Sequence, residues 1–113
     1  MKTKSSFMYD DFSDRLLISN KTDKDVIKGS VRILNLILDF NTENKIINIE
    51  LRKASDYLNS IKIDPIVLKN LKNAEIVFKQ CRDGILFYFV LTTKQDVIRV
   101  PYNIRSSRPL TVN

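Results

Sequence analysis

Alternation of apolar and polar residues on both sides of a short polar segment constrains this chain most strongly, because it predicts an antiparallel hairpin. The even positions of residues 34–40 are apolar, and so are the odd positions of residues 47–51. Successive side chains of a strand point to opposite faces, so each segment has one core face and one polar face. A four-residue turn over 41–44 sets the predicted register as Phe40 opposite Lys45, Leu38 opposite Ile47, Leu36 opposite Ile49, Leu34 opposite Leu51 and Asn35 opposite Glu50.

The second half of the chain repeats this period of two. Residues 75–81 and 85–92 flank Asp83-Gly84, a dipeptide that favours the positive φ angles of a two-residue hairpin turn. Residues 85–92 are apolar on both faces, so this strand is expected to be central and covered on both sides, or to meet a partner. The predicted pairs, which include a following strand over 95–101, are Phe78 with Phe89, Ile76 with Leu91, Ile98 with Leu91 and Val100 with Phe89.

Two further elements complete the β pattern toward the N-terminus. Residues 7–20 predict a hairpin, with strands at 7–9 and 15–19 around the Asp- and Ser-rich turn 10–14. A short strand is expected at 26–31, with Gly29 marking a bulge or bend.

Two short helices are predicted between the halves. The first covers about residues 55–60, with Ser55 as its N-cap, and the second has Asp64 as N-cap and Pro65 at its first position. The second helix is expected to end near Asn73. Strands, then helices, then strands predict an α+β fold, an antiparallel sheet of hairpins with two short helices between the halves.

Length and composition predict a single intracellular domain. The 113 residues are 43% hydrophobic, enough for one core, and contain no apolar run of 18 that could span a membrane. The N-terminal segment is polar and lacks the apolar stretch of a secretory signal, so a cytoplasmic location is expected. The domain is predicted over 7–103, between flexible basic segments at 1–6 and 104–113.

The absence of histidine and the presence of a single cysteine narrow the chemistry. Zinc sites and Ser/His or Cys/His catalysis are excluded, and Cys81 cannot form an internal disulfide. Cys81 stands beside Arg82, whose charge would favour a thiolate. A structural thiol is favoured, because the usual activating base is absent. We therefore predict no enzyme activity, cofactor or metal.

The net charge of +6 is carried largely by the two ends of the chain. Setting aside Lys2, Lys4, Arg105 and Arg108 leaves 15 of the 19 basic residues against 13 acidic ones. A solvated basic tail is the simpler interpretation of this distribution. The alternative is an arm that binds nucleic-acid phosphates, since Lys and Arg can neutralise phosphate without a fold.

A group of carboxylates could converge if the first two hairpins are adjacent, and carboxylate oxygens could then bind Mg²⁺ or Ca²⁺. The group comprises Asp10, Asp11, Asp14, Asp39 and Glu50. Its spacing matches no EF-hand or two-metal pattern, so turn capping and a solvated sheet face are favoured. Glu50 alone lacks a partner that would tune it as a general base, and a cross-strand contact with Asn35 is expected instead.

Two segments resemble the DUF2283 family of small archaeal and bacterial proteins. They are Tyr9-Asp-Asp-Phe-Ser-Asp-Arg-Leu-Leu-Ile18, and Ile37-Leu-Asp-Phe40 followed by Ile46-Ile-Asn-Ile-Glu-Leu-Arg-Lys-Ala-Ser55. The family opens with Tyr-Asp-x-x-x-Asp-x-Leu-x-Ile and closes with Gly-Ile-Glu-Ile-x-x-Ala-Ser, where this chain has Asn48 in place of the Gly. The resemblance covers about residues 7–60. It implies no established activity, but some members look like partners of small toxin-like proteins, which implies an antitoxin-like binding module.

The predicted function is a non-enzymatic protein-interaction module, antitoxin-like or self-associating, and the alternative is nucleic-acid binding through the basic termini. Residues 82–89 are faintly similar to the RNA-binding strand of the RRM, but Ile85 and Leu86 follow Gly84, so the stacking positions do not align and core packing is favoured. The interaction surface is expected on the apolar-rich hairpin 85–100 or a sheet edge, at Leu86, Tyr88, Val90, Arg99 and Tyr102.

Overall fold

Hairpins dominate the computed structural model, which describes residues 6–82 and 84–102, with side chains described except at 78–81 and 84–86. The fold is mainly β, and the predicted antiparallel hairpins and two short helices are both present. The helical elements are α1 (Ala54–Ser60) and a 3₁₀ helix (Pro65–Asn70). The strands are β1 (Ser6–Asp10), β2 (Arg15–Ser19), β3 (Ile27–Ile33), β4 (Leu36–Asn41), β5 (Ile46–Arg52), β6 (Asn73–Cys81), β7 (Gly84–Thr92) and β8 (Val97–Tyr102).

The first five strands form one antiparallel sheet in the order β1-β2-β5-β4-β3. The predicted hairpin of β1 and β2 and the strand that carries Gly29 are confirmed, with a bulge between Ile27 and Gly29 in β3. The alternating residues fall on opposite faces as expected. Leu16, Leu51 and Leu36 form one buried row across three neighbouring strands.

The register predicted between β4 and β5 is wrong by two residues. Leu36 pairs with Leu51, so Glu50 lies opposite Ile37 and not opposite Asn35. Leu34 is not in the strand, because it adopts a φ of 54° in the two-residue turn between β3 and β4 and is 71% exposed. A shift of two leaves the side chains that remain paired, Leu36 and Leu38 on β4 and Ile49 and Leu51 on β5, on their predicted face, since the side-chain period of a strand is also two.

The last three strands form a second antiparallel sheet, with β7 at its centre as predicted. The pairs Phe89 with Val100 and Leu91 with Ile98 are confirmed. The β6–β7 register is again wrong by two, because Ile76 pairs with Phe89 and Phe78 with Phe87. Cys81 pairs with Gly84, so Gly84 lies in β7 rather than in the turn.

The two helical elements lie where the sequence places them, but the N-cap of the first and the type and last residue of the second differ from the prediction. The N-cap of α1 is Lys53, with a φ of 52° and no side-chain cap, so Ser55 is not the cap. Asp64 does cap the second element, where its side chain accepts a hydrogen bond from Ile66 N. That element is a 3₁₀ helix that ends at Asn70, because Asn73 already begins β6. Neither helix in the described part of the chain is long and apolar enough to cross a membrane.

One hydrophobic core joins both sheets and both helical elements. The inner faces contribute Leu16 and Ile18 from one sheet and Phe89 and Leu91 from the other. Leu58 of α1 is also fully buried in this core. The outer faces of the two sheets therefore remain available for other roles.

Candidate functional site

The outer face of the three-stranded sheet carries a row of three apolar residues. Val77, Tyr88 and Pro101 lie side by side on β6, β7 and β8. Val77 and Tyr88 are half-buried and Pro101 is exposed. We call this surface, with the neighbouring row described next, the C-terminal face.

The second row of the C-terminal face places an apolar side chain between two opposite charges. Val90 of β7 lies opposite Glu75 on β6 and opposite Arg99 on β8. Arg99 also lies over the ring of Tyr88, with Cζ 5.9 Å from the ring centroid, a distance suited to a cation–π contact. Glu75 accepts a hydrogen bond of 3.2 Å from Asn73 Nδ2. The face thus has an apolar centre with an acid on one edge and a base on the other.

Three of the predicted surface residues, Tyr88, Val90 and Arg99, are brought together on this face. Tyr102 is not, because it is only 4% exposed and lies on the inner side of β8. Its ring lies 5.0 Å from that of Tyr57 and stacks on Phe87 at 5.6 Å. Tyr102 is therefore a core residue, and the expectation that it belongs to the surface is wrong.

Other predicted residues lie outside what the structure describes. The backbone of Leu86 pairs with Lys79 in the β6–β7 ladder, but the side chains of Leu86 and Cys81 are not described. The proposed nucleic-acid contacts lie outside the described residues altogether, and they are Lys2, Lys4, Arg105 and Arg108.

The outer face of the five-stranded sheet differs because its polar groups bond to one another. Ser19 Oγ donates to Asn48 Oδ1 at 2.6 Å, and Asn48 Nδ2 donates to Asp39 Oδ2 at 3.2 Å. Ser30 Oγ completes the row by donating to Asp39 Oδ1 at 2.5 Å. This hydrogen-bonded row spans four strands, which is typical of a solvated sheet face.

Beside that polar row lies a shallow depression of about 400 Å³. Its apolar lining includes Met8, Leu17 and Ile37, but Glu50 interrupts the row between the last two. Glu50 forms ion pairs of 3.5 Å with Arg15 and 3.2 Å with Arg52. The contact predicted between Glu50 and Asn35 is replaced by these two pairs, and the apolar surface is broken by charge.

Asp14 links the first hairpin to α1, a connection that the sequence analysis did not find. Its carboxylate accepts hydrogen bonds from Tyr9 Oη at 2.6 Å, from Ser55 N at 3.0 Å and from Ser55 Oγ at 2.6 Å. Its carbonyl oxygen accepts from Ala54 N at 3.1 Å. Helices begin with N–H groups that have no partner within the helix. Asp14 therefore supplies from a distant turn the cap that Lys53 lacks.

The electrostatics of this junction favour an ionised Asp14. Burial alone would raise the pKa of Asp14, but the hydrogen bonds from Ser55 and Tyr9 outweigh it and hold that pKa below the ordinary 3.8. Burial raises the pKa of Tyr9, and the neighbouring Asp14 raises it further. The pair thus consists of a neutral phenol that donates and a carboxylate that accepts, which is a structural contact.

The carboxylates of the metal hypothesis have separate partners. Asp10 accepts hydrogen bonds within its own turn from Phe12 N and Ser13 Oγ. Asp14 caps α1, whereas Asp39 lies in the polar row on the outer face of the five-stranded sheet. Among the described residues, no group of three or more Cys, Asp, Glu or His side chains is placed to hold a metal ion.

A basic depression lies where the end of the 3₁₀ helix and the segment before β6 meet the loop that follows β7. Its volume is about 290 Å³, and its lining contains three lysines, two amides and a leucine, namely Lys69, Asn70, Leu71, Lys72, Lys94 and Gln95. The backbone bond from Lys72 N to Thr92 O, 2.7 Å long, ties the two contributing loops together. The lysine cluster, defined as Lys69, Lys72 and Lys94, is thus held on an ordered backbone.

Comparison with known proteins adds no further constraint, because no protein-family model, curated protein or solved structure matches this chain.

Proposed function

We propose that this chain is a non-enzymatic protein-interaction module and that its contact surface is the C-terminal face. The observation that carries the proposal is the uninterrupted apolar row of Val77, Tyr88 and Pro101 on the outer face of the three-stranded sheet. Aromatic residues and arginine are enriched at protein interfaces, and this face presents Tyr88 and Arg99 together. An antitoxin-like role, which the resemblance to the DUF2283 family implies, is one form of such a module.

The contrast between the two outer faces supports this choice. On the five-stranded sheet, Glu50 and its two arginines divide the apolar residues, and the adjacent polar groups are already hydrogen-bonded. On the C-terminal face, the charged residues stand at the edges of the sheet and leave its centre apolar. A polar rim around an apolar centre is the usual anatomy of a protein interface.

The dimensions of the C-terminal face limit the affinity it can supply. Three strands about 4.8 Å apart and roughly 25 Å long present on the order of 350 Å². A standard interface covers about 800 Å² on each partner. We therefore expect a weak or transient complex, unless the partner extends beyond this sheet.

The test compares matched pairs of substitutions on the two outer faces. Tyr88→Ser with Val90→Ser removes the apolar centre of the C-terminal face, whereas Leu17→Ser with Ile37→Ser removes half-buried apolar groups from the other sheet. Immobilised wild-type chain and both variants are exposed to extract from the native cell, and self-association is followed by light scattering.

The proposal requires that binding of a specific partner, or of a second copy, is lost in the Tyr88/Val90 variant and retained in the Leu17/Ile37 variant. Equal binding by the two variants would place the contact elsewhere. Circular dichroism checks that both variants are folded before binding is compared.

The lysine cluster favours a second candidate function, which is binding of nucleic-acid phosphates. Its lining contains no acidic side chain, although Lys69 pairs with Asp11 at 3.6 Å. That pair is mostly exposed, with side chains 56% and 70% accessible, so it stabilises little and a phosphate can displace it. This candidate does not depend on the basic termini and is tested separately.

A further inference from the structure

We propose that the partner of the C-terminal face is a second copy of this chain, packed face to face about a two-fold axis that runs along β7. This inference rests on the proposed function and names its partner. It follows from the positions of Glu75, Val90 and Arg99 in one cross-strand row.

The symmetry operation can be worked out from the strand order. β7 lies at the centre, with β6 on one side and β8 on the other. Consider a 180° rotation about an axis that is parallel to β7 and lies midway between the three-stranded sheets of the two copies. This rotation keeps each row opposite the same row of the other copy and places β6 opposite β8. Each Glu75 then faces Arg99 of the other copy, and Val90 faces Val90.

The neighbouring row is complementary under the same operation. Tyr88 faces Tyr88 of the second copy, and Val77 faces Pro101. An isologous interface needs a patch that matches itself in this way. The operation therefore pairs apolar groups at the centre and opposite charges at the two edges.

The other two-fold axis in the plane of the face does not give this match. An axis across the strands exchanges the two rows and places each strand over its own counterpart. Glu75 would then face Val77, and Arg99 would face Pro101, so four charged groups would be covered without a partner. Burying an unpaired charge is costly, which favours the axis along β7.

The contacts within one chain leave both charges free to pair in this way. Glu75 and Arg99 are exposed and are separated by the whole width of β7, roughly 10 Å for two strand spacings. Arg99 lies over the ring of Tyr88 and thereby stays on the outer face. Neither residue appears in an ion pair within the described chain.

The experiment is a charge-reversal cycle followed by sedimentation equilibrium from about 10 μM to 1 mM, since a face of this size gives weak association. Glu75→Arg and Arg99→Glu each create two repulsive contacts per dimer and should weaken dimerisation about tenfold or more. The double variant Glu75→Arg with Arg99→Glu restores both pairs and should return the dimerisation constant to within about threefold of wild type. Arg32→Glu, an exposed change on the other sheet, has the same effect on net charge as Arg99→Glu and should leave dimerisation unchanged.

A monomer at every concentration, or a double variant no better than the single ones, would overturn the proposed dimer. A dimer that responds equally to Arg32→Glu would overturn it as well, because net charge alone would then be responsible. Failure of the dimer remains distinguishable from failure of the interaction module. If the chain is a monomer but binds a different, specific partner, and Tyr88→Ser with Val90→Ser abolishes that binding, the proposed function stands. Only the second copy is then excluded as the partner.

Discussion

Removal of the Asp14 carboxylate should destabilise the fold by more than an ordinary turn substitution, because it uncaps α1. Three hydrogen bonds end on this carboxylate, two from Ser55 and one from Tyr9. A hydrogen bond to a charged group contributes about 1.5–3 kcal/mol, and loss of a helix cap costs about 0.5–2 kcal/mol. These contributions overlap, and Asp14 is partly exposed, so we expect Asp14→Ala to lower the free energy of unfolding by about 2–3 kcal/mol.

The backbone at Asp14 needs its own control. Asp14 has a φ of 55°, a conformation that Asn adopts more readily than Ala. Asp14→Asn therefore keeps the backbone while weakening the acceptor, and should cost about 1–2 kcal/mol. Asn44→Ala measures mainly the backbone effect, since Asn44 has a φ of 63° and its exposed side chain accepts one long hydrogen bond, 3.3 Å from Lys28 Nζ.

The assay is urea and thermal unfolding followed by circular dichroism. A loss of 2–3 kcal/mol corresponds to a fall in Tm of roughly 10 °C for a domain of this size. Tyr9→Phe removes one of the three donors and should cost about 1 kcal/mol. If Asp14→Asn costs nothing and Asp14→Ala costs no more than Asn44→Ala, the carboxylate does not cap the helix and the reasoning is refuted.

The same contact predicts how stability depends on pH. Because hydrogen bonds hold the pKa of Asp14 in the fold below 3.8, the unfolded chain takes up a proton first as the pH falls. The stability contributed by Asp14 is therefore present above about pH 4 and lost as the pH falls through the folded pKa. Asp14→Asn should therefore reduce the loss of stability between about pH 4 and lower pH. An unfolding free energy that falls with pH as steeply as in wild type would contradict the assignment of this loss to Asp14.

Two further predictions concern the turn after β4 and the lysine cluster. Asn41 is 5% exposed, its Oδ1 accepts from Glu43 N and Lys45 N at 2.9 Å each, and its Nδ2 donates to Asp25. Asn41→Ala should therefore lower the free energy of unfolding by about 1–3 kcal/mol in a denaturant titration, and a change below about 0.5 kcal/mol would show that water replaces these bonds. For the second candidate function, replacing the lysine cluster with Gln should weaken anisotropy-detected binding of a labelled single-stranded oligonucleotide about tenfold and reduce the magnitude of the salt slope by about 2. The matched control replaces three exposed lysines elsewhere with Gln, namely Lys24, Lys28 and Lys45. Equal weakening of binding by the control would assign the binding to diffuse charge or to the termini.

The sequence alone determined which faces of the strands are buried. Period-two alternation marked Leu36, Leu38, Ile49 and Leu51 as core, and all four are at most 3% exposed. It also placed β7 at the centre of its sheet. These features follow from side-chain direction, which repeats within a few residues and needs no knowledge of the partner strand.

Only the tertiary structure decided which residues meet. The β4–β5 and β6–β7 registers differ by two from the predicted ones, because a shift of two preserves the faces. The choice between such registers depends on turn and bulge conformations, which for β4–β5 are the φ of 63° at Asn44 and the bulge between Asp39 and Phe40. Asp14 caps a helix that begins 40 residues later, and no local signal connects those positions. The C-terminal face likewise exists only because β6, β7 and β8 align Glu75, Val90 and Arg99 in one row, and such alignment comes from packing between segments rather than from the order of residues within one.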